Sequence, residues 1–172
     1  VESGNCLSSG NATIVYNRQW HKGVVGIVAS RLVEAFYKPT IVFTQSQGGL
    51  VTGSARSVHG FDLYDAIESC SDLLENFGGH LYAAGLTLKE ENLPAFCERI
   101  EKFISQAIIP EMQTPVVDVD AMLNFSQITP KFLRILKQFQ PFGPGNNAPV
   151  FRTDNVYDNG MGRKVGVEGG HL

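Results

Sequence analysis

The stretch ATIVYNRQWHKGVVGIVASRLVEAFYKPTIVFTQSQGGLVTGSARS, residues 12–57, decides the fold. Its first six residues contain the run Ile-Val-Tyr, which suits a strand, and residues 22–37 are then so densely apolar that they predict a mostly buried helix. Pro39 ends that helix because the residue before a proline disfavours helical dihedrals. Residues 40–44 are a short apolar strand, and Gly48-Gly49 predicts a turn that returns residues 50–57 as its hairpin partner.

The elements that follow complete an α/β pattern. A second helix is predicted to open at Asp62 and to end at Gly78-Gly79. Its spacing of apolar residues makes one buried stripe of Leu63, Ala66, Ile67, Cys70, Leu73 and Leu74. Residues 83–88 read as another strand, and Asn92 can cap a third helix with Pro94 in its first turn. The order strand, helix, hairpin, helix, strand, helix predicts a small mixed β-sheet covered by helices.

The rest of the chain predicts its division into domains. Residues 1–11 are small and polar and are expected to be flexible, and residues 12–107 form the α/β domain. Residues 108–117 read as a linker. The remaining domain, residues 118–172, begins within a strand predicted near 116–123. It continues with a helix capped by Thr129 and a hairpin of 150–157 with 162–167 around the turn Asn159-Gly160. Two strands cannot form a core alone, so we expect a truncated β domain, and the chain reads as an excised piece of a longer one.

Composition excludes several classes of protein. The 172 residues are 43% hydrophobic and 18% charged, which excludes a disordered chain and a disulfide-framed mini-protein. The net charge of -3 gives no global positive field, so any site for a polyanion must be local. The cysteines Cys6, Cys70 and Cys97 are odd in number and far apart, which indicates a reducing compartment. With no apolar run long enough for a membrane span and no signal peptide, we expect a cytoplasmic protein without a membrane partner.

The first candidate site is Gly53-Ser54-Ala55-Arg56-Ser57, at the end of a strand. Side chains alternate along a strand, so Ser54 and Arg56 are expected on one face and Ser57 on the other. A hydroxyl beside a forked guanidinium is a good receptor for an oxyanion. The alternative interpretation is an edge strand whose arginine is only solvated.

The second candidate is Phe77-Gly78-Gly79-His80. Paired glycines expose backbone N–H groups, and a neighbouring histidine can donate to a phosphate. The alternative is a helix C-cap followed by a surface histidine.

The third candidate is His21 in Trp20-His21-Lys22-Gly23, where the N-terminus of the first helix favours anions. Here we favour the structural alternative, in which His21 caps the helix and Trp20 covers the core. The four histidines stand apart from one another and from any acidic cluster, so the sequence predicts neither a metal site nor a hydrolytic centre in this chain.

These motifs together resemble one family. The stretches from Trp20 to Leu32, Gly53 to Ser57 and Phe77 to Leu86 resemble, in order and spacing, the DHH-associated domain of the RecJ family. That family consists of single-stranded-DNA-specific exonucleases within the DHH phosphoesterase superfamily. The later Pro141-Phe-Gly-Pro-Gly-Asn-Asn-Ala-Pro-Val-Phe151 is similar to the segment that leads into the OB-fold of these enzymes. The likeness covers residues 12–172.

The resemblance implies a division of labour. In the family a separate DHH domain, no part of whose motif occurs here, binds Mn or Mg ions and hydrolyses DNA in the 5′-to-3′ direction, in repair and recombination. Carried over by motif, Ser54 and Arg56 would hold a phosphate of the DNA terminus, and Gly79 and His80 one near the scissile bond. Gly78, Ser57 and His21 are possible further contacts. This chain alone would bind no cofactor and be inactive, with single-stranded DNA and its own DHH domain as partners.

Two alternatives stay open at this point. One is a phosphodiesterase of short oligonucleotides or cyclic dinucleotides, because other members of the superfamily share the GSxRS and GGH elements. The other is a non-catalytic nucleic-acid-binding module.

Overall fold

The computed structural model describes residues 5–8, 10–143, 145–158 and 160. It divides the chain into two compact units, Val1–Pro115 and Val116–Leu172. Among the described residues no helix is long and apolar enough to cross a membrane.

The first unit is built on a six-stranded sheet. Its strands are β1 Asn5–Ser8, β2 Thr13–Tyr16, β3 Thr40–Gln45, β4 Leu50–Arg56, β5 Leu74–His80 and β6 Ala83–Lys89. Their order in the sheet is β1-β2-β3-β4-β6-β5. The helices of this unit are α1 Val25–Phe36, α2 Leu63–Glu68 and α3 Leu93–Ala107. Strands β2 and β3 are parallel because α1 crosses between them, and the other neighbours are antiparallel. The sheet is therefore mixed, as the sequence predicts.

Helices cover both faces of this sheet. On one face the buried Val25 and Ala29 of α1 pack against Val15 and Val42. On the other face α2 and α3 enclose the larger core, in which the rings of Phe43 and Phe96 meet edge to face with centroids 5.7 Å apart. The predicted α/β fold is confirmed, and its two apolar layers fix which face each strand residue occupies.

The prediction of one long second helix was wrong. Helix α2 ends at Glu68, a single 3-10 turn follows at Ser71–Leu73, and β5 then begins at Leu74. Gly78 and Gly79 lie inside this edge strand and cap no helix. A register shift between Leu74 and Asn76 breaks the alternation of apolar residues with period two, so the strand has no clear sequence signal. The structure also adds β1, within a segment for which the sequence predicted no element.

The second unit contains short elements. Strand β7, Ala121–Met122, pairs in parallel with β8, Phe151–Arg152, so the strands predicted over residues 116–123 and 150–157 are much shorter than expected. The predicted second hairpin strand, residues 162–167, lies outside the described residues. Helix α4, Pro130–Leu136, begins as predicted, with the Thr129 hydroxyl accepting a hydrogen bond from the Phe132 N–H at 3.1 Å. None of the described residues of this unit is buried.

Candidate nucleic-acid interface

Strand β4 presents Ser54 and Arg56 on the sheet face that carries α1. Val51, Gly53 and Ala55 alternate with them and are buried towards the larger core. Arg56 Nη1 donates to Ser54 Oγ at 3.0 Å and to the Ala55 carbonyl at 2.7 Å. These bonds hold the guanidinium beside the hydroxyl, and the remaining guanidinium N–H groups and the Ser54 O–H can still donate to a ligand. The strand lies between β3 and β6, so the alternative of a solvated edge-strand arginine does not describe it.

His80 lies on the same face as Arg56. Ala83 of β6 pairs with Arg56 on one side and with His80 on the other, and opposed residues of an antiparallel ladder share a face. Two strand spacings separate the backbones of Arg56 and His80 by roughly 10 Å. In the neighbouring row of paired residues, Gly85 of β6 lies opposite Ser54 of β4 on one side and opposite Gly78 of β5 on the other.

The sheet surface between Ser54, Arg56 and His80 consists mostly of backbone atoms. Gly78 and Gly85 are exposed, a Cβ built on Gly78 would meet nothing within 4 Å, and one on Gly85 would meet only the Gly53 carbonyl, at 4.0 Å. A ligand can therefore approach the sheet closely at this point. We call the surface formed by Ser54, Arg56, Gly78, Gly85 and His80 the glycine shelf.

The first turn of α1 forms one wall of the glycine shelf. A Cβ built on Gly26 would lie 3.1 Å from Arg56 Nη2 and 3.2 Å from Ser54 Oγ, so a larger residue there would press on both of these side-chain groups. The N–H groups of a first helical turn have no partner within the helix, and the helix dipole is positive there. The hydroxyl, the guanidinium and this helix end therefore make one region that favours an anion.

Gly78 and Gly79, the two glycines before His80, differ in what a side chain at each position would contact. Gly79 has a φ of 153°, and a Cβ there would collide with the Ala83 carbonyl and lie 2.5 Å from Ala84 Cα. Gly79 is thus required for β5 to pack against β6, whereas Gly78 leaves the shelf open. The exposed His80 accepts a hydrogen bond at Nδ1 from the Tyr82 N–H at 3.3 Å. A neutral ring that accepts at Nδ1 carries its proton on Nε2, where it can donate to a phosphate oxygen.

The two remaining candidate side chains lie apart from this arrangement. The Ser57 hydroxyl donates to the Phe61 carbonyl at 2.8 Å and serves the loop after β4. His21 is exposed in a turn, where its Nδ1 accepts from the Gly23 N–H at 3.1 Å, and α1 begins only at Val25 with Val24 as its N-cap. The interpretation of His21 as the helix cap was therefore wrong. The His21 side chain lines an open depression of about 580 Å³, together with Arg18 and Lys22.

A charged network beside that depression was not predicted. Glu90 Oε1 accepts from the Tyr16 hydroxyl at 2.6 Å and from Nε and Nη2 of Arg18 at 3.0 and 2.8 Å. These hydrogen bonds, the one from Tyr16 first, lower the pKa of the Glu90 carboxyl below its ordinary value of 4.5. Glu90 lies 74 positions after Tyr16 and 72 after Arg18, so no local pattern could indicate the contact. The network ties the end of β2 to the segment that follows β6.

The described part of the chain offers no donor set for a metal ion. It contains no group of three or more histidine, cysteine, aspartate or glutamate side chains that could hold one. The described residues therefore do not form a metal centre, and we derive no step through one.

Comparison with known proteins identifies both parts of the chain. The family model of the DHHA1 domain matches residues 9–106, and that of the RecJ OB domain matches residues 119–172. The single-stranded-DNA-specific exonuclease RecJ of Bacillus subtilis is 37% identical over 162 residues, which are 94% of this chain and 20% of that protein. RecJ of Thermus thermophilus is 34% identical over 161 residues, 94% of this chain and 22% of its own length.

Solved structures give the same result. The crystal structure of Thermus thermophilus RecJ in complex with Mn²⁺ matches with a TM-score of 0.72 and 32% identity, over 89% of this chain and 23% of that one. The structure of the same protein with Mg²⁺ matches with a TM-score of 0.69. The chain thus spans about a fifth to a quarter of the length of these relatives.

Proposed function

Since the chain belongs to the DHHA1 domain family and continues into a RecJ OB domain, we propose that it is the substrate-binding C-terminal part of a 5′-to-3′ single-stranded-DNA exonuclease. In this role it contacts DNA phosphates, and the whole protein acts in DNA repair and recombination in the cytoplasm. Residues 12–107 are the substrate-binding domain, 108–117 a linker and 118–172 part of an OB-fold. The relatives are named as single-stranded-DNA-specific exonucleases, and this chain matches 20% and 23% of the length of two of them.

The observation that carries the proposal is the glycine shelf. It combines a fixed guanidinium, a hydroxyl, a histidine N–H and a helix N-terminus around a backbone floor. Contacts to phosphates position a nucleic acid without reading its sequence, which is what an exonuclease for any strand needs. Ser54 and Arg56 hold the terminal phosphate, and His80, with the Gly79 backbone, contacts a phosphate closer to the scissile bond.

Hydrolysis belongs to a DHH domain outside this chain, which holds Mn or Mg ions. Two bound metal ions can clamp the attacking and leaving oxygens of a phosphodiester, and the described residues here offer no such site. That DHH domain and residues 12–107 are partners on either side of a cleft that holds single-stranded DNA.

Arg56→Ala tests the role of the glycine shelf. The substitution removes charge-assisted hydrogen bonds of about 1.5 to 3 kcal/mol, so affinity for a 5′-phosphorylated single strand should fall about tenfold to a hundredfold. Arg56→Lys should recover part of that loss, because an ammonium cannot make the forked contact. Fluorescence anisotropy with labelled oligonucleotides measures both, with thermal melting to show that the variants fold.

Arg31→Ala is the matched control. Arg31 is an exposed arginine of α1 that pairs with Glu34, so its removal changes the net charge equally without touching the shelf. Equal weakening by Arg56→Ala and Arg31→Ala would show a general charge effect and contradict the proposed phosphate site. Binding of dinucleotides as tight as that of long strands would favour a phosphodiesterase of short oligonucleotides instead.

A further inference from the structure

Two exposed aromatic side chains stack on each other, His59 from the loop after β4 and Tyr82 from the turn between β5 and β6. The rings of His59 and Tyr82 are nearly parallel, at 14°, with centroids 6.4 Å apart. This separation is typical of an offset stack, which leaves part of each ring surface free. His59 is exposed, Tyr82 is 40% exposed, and neither packs into the cores of the first unit.

Backbone hydrogen bonds hold Tyr82, and with it this pair, at the end of the β5–β6 ladder next to His80 in sequence. The Tyr82 N–H donates to His80 Nδ1 at 3.3 Å, and the Tyr82 carbonyl accepts from the Ser57 N–H at 3.0 Å. The Leu81 carbonyl accepts from the Leu63 N–H at 3.1 Å, so the turn is tied both to the end of β4 and to the start of α2. The Tyr82 backbone therefore keeps a fixed position next to the row that contains Arg56, Ala83 and His80.

We propose that His59 and Tyr82 form a stacking platform for one nucleobase of the single strand whose phosphates lie at Arg56 and His80. Proteins that hold single strands without sequence preference combine groups that bind the phosphate backbone with aromatic side chains on which bases stack. The glycine shelf supplies the first component and the exposed pair the second. The inference rests on the proposed function, because it assigns the base that accompanies the bound phosphate.

Single abasic nucleotides test the platform. Oligonucleotides with a 5′ phosphate or a 5′ hydroxyl carry one abasic site, placed in turn at each of the first few positions. The loss of one stacked base should weaken binding to this chain about fivefold to a hundredfold at one position. Tyr82→Leu and His59→Ala should bind the intact strand more weakly and lose most of the sensitivity at that position. Tyr82→Phe, which keeps the ring, should behave as the unchanged chain does.

Phe36→Leu is the control, since Phe36 is a 60% exposed aromatic residue at the end of α1 and lies outside the stacked pair. As a measurement that needs no variant, 2-aminopurine placed along the strand should be quenched most at the position where the abasic site weakens binding most. This second readout decides the matter if a Tyr82 variant fails to fold.

The outcomes separate the platform from the phosphate site. Equal abasic sensitivity in the unchanged chain, Tyr82→Leu and His59→Ala would overturn the platform, and so would no position-dependent loss or quenching. Sensitivity to the 5′ phosphate that survives in Tyr82→Leu would then still support the proposed function. Abasic sensitivity that depends on Tyr82, without any dependence on the 5′ phosphate, would support the platform and overturn the terminal-phosphate role. No binding of any oligonucleotide would overturn both.

Discussion

Gly79→Ala should destabilise the first unit far more than the same change at its neighbour Gly78. At Gly79 the new methyl group meets backbone, the Ala83 carbonyl and Ala84 Cα, which cannot swing away as a side-chain end could. The φ of 153° is also one that residues with a Cβ rarely adopt. At Gly78 the methyl group points into open space.

The expected size follows from these two effects. An unfavourable backbone conformation costs about 1 to 3 kcal/mol, and the displacement of a packed neighbour costs about 1 to 3 kcal/mol more. For a unit that ends at Pro115, an unfolding entropy of about 2.1 cal/mol/K per residue makes 1 kcal/mol equal to about 4 °C. Gly79→Ala should therefore lower the melting temperature by about 8 to 25 °C. Gly78→Ala should change it by only a few degrees and can raise it, because alanine restricts the unfolded chain.

Thermal unfolding followed by circular dichroism measures this difference, and urea midpoints provide a second value. Equal melting temperatures for Gly79→Ala and Gly78→Ala would refute this prediction, since they would mean that β5 can move away from β6 without a loss of stability. DNA binding is the complementary readout: Gly78→Ala should fold normally yet bind a 5′-phosphorylated strand more weakly, because its methyl group fills the glycine shelf.

Two further predictions concern hydrolysis and acid stability. The purified chain, incubated with labelled single-stranded DNA and manganese or magnesium, should not shorten the strand, and shortening that persists through repeated purification would reveal a missed catalytic centre. Because folding lowers the pKa of Glu90 below 4.5, its contribution to stability is complete above that pH and is lost as the pH falls through the lower folded value. Glu90→Gln should therefore melt earlier than the unchanged chain at neutral pH, and urea midpoints measured against pH should converge in acid; a constant difference would contradict this.

Several features could be read from local sequence because local physics decides them. The apolar density of residues 22–37 and Pro39 predicted α1, and the Gly48-Gly49 turn predicted the β3–β4 pairing. Strand alternation alone placed Ser54 and Arg56 on one face, where the structure joins them by a hydrogen bond of 3.0 Å. Thr129, predicted as a cap, likewise marked the start of α4.

Other features were decided only by the tertiary structure, because they depend on which strands pair. Arg56 and His80 share a face because β6 pairs with both β4 and β5, and no periodicity within either segment contains that information. Strand β5 was mistaken for a continuation of α2, because its bulge removes the alternation of apolar residues. Only its antiparallel pairing with β6 defines it as a strand. Gly26 lies against Ser54 and Arg56 because α1 packs on the sheet. The sequence determined the chemistry of each motif, whereas long-range backbone pairing brought the motifs onto one surface.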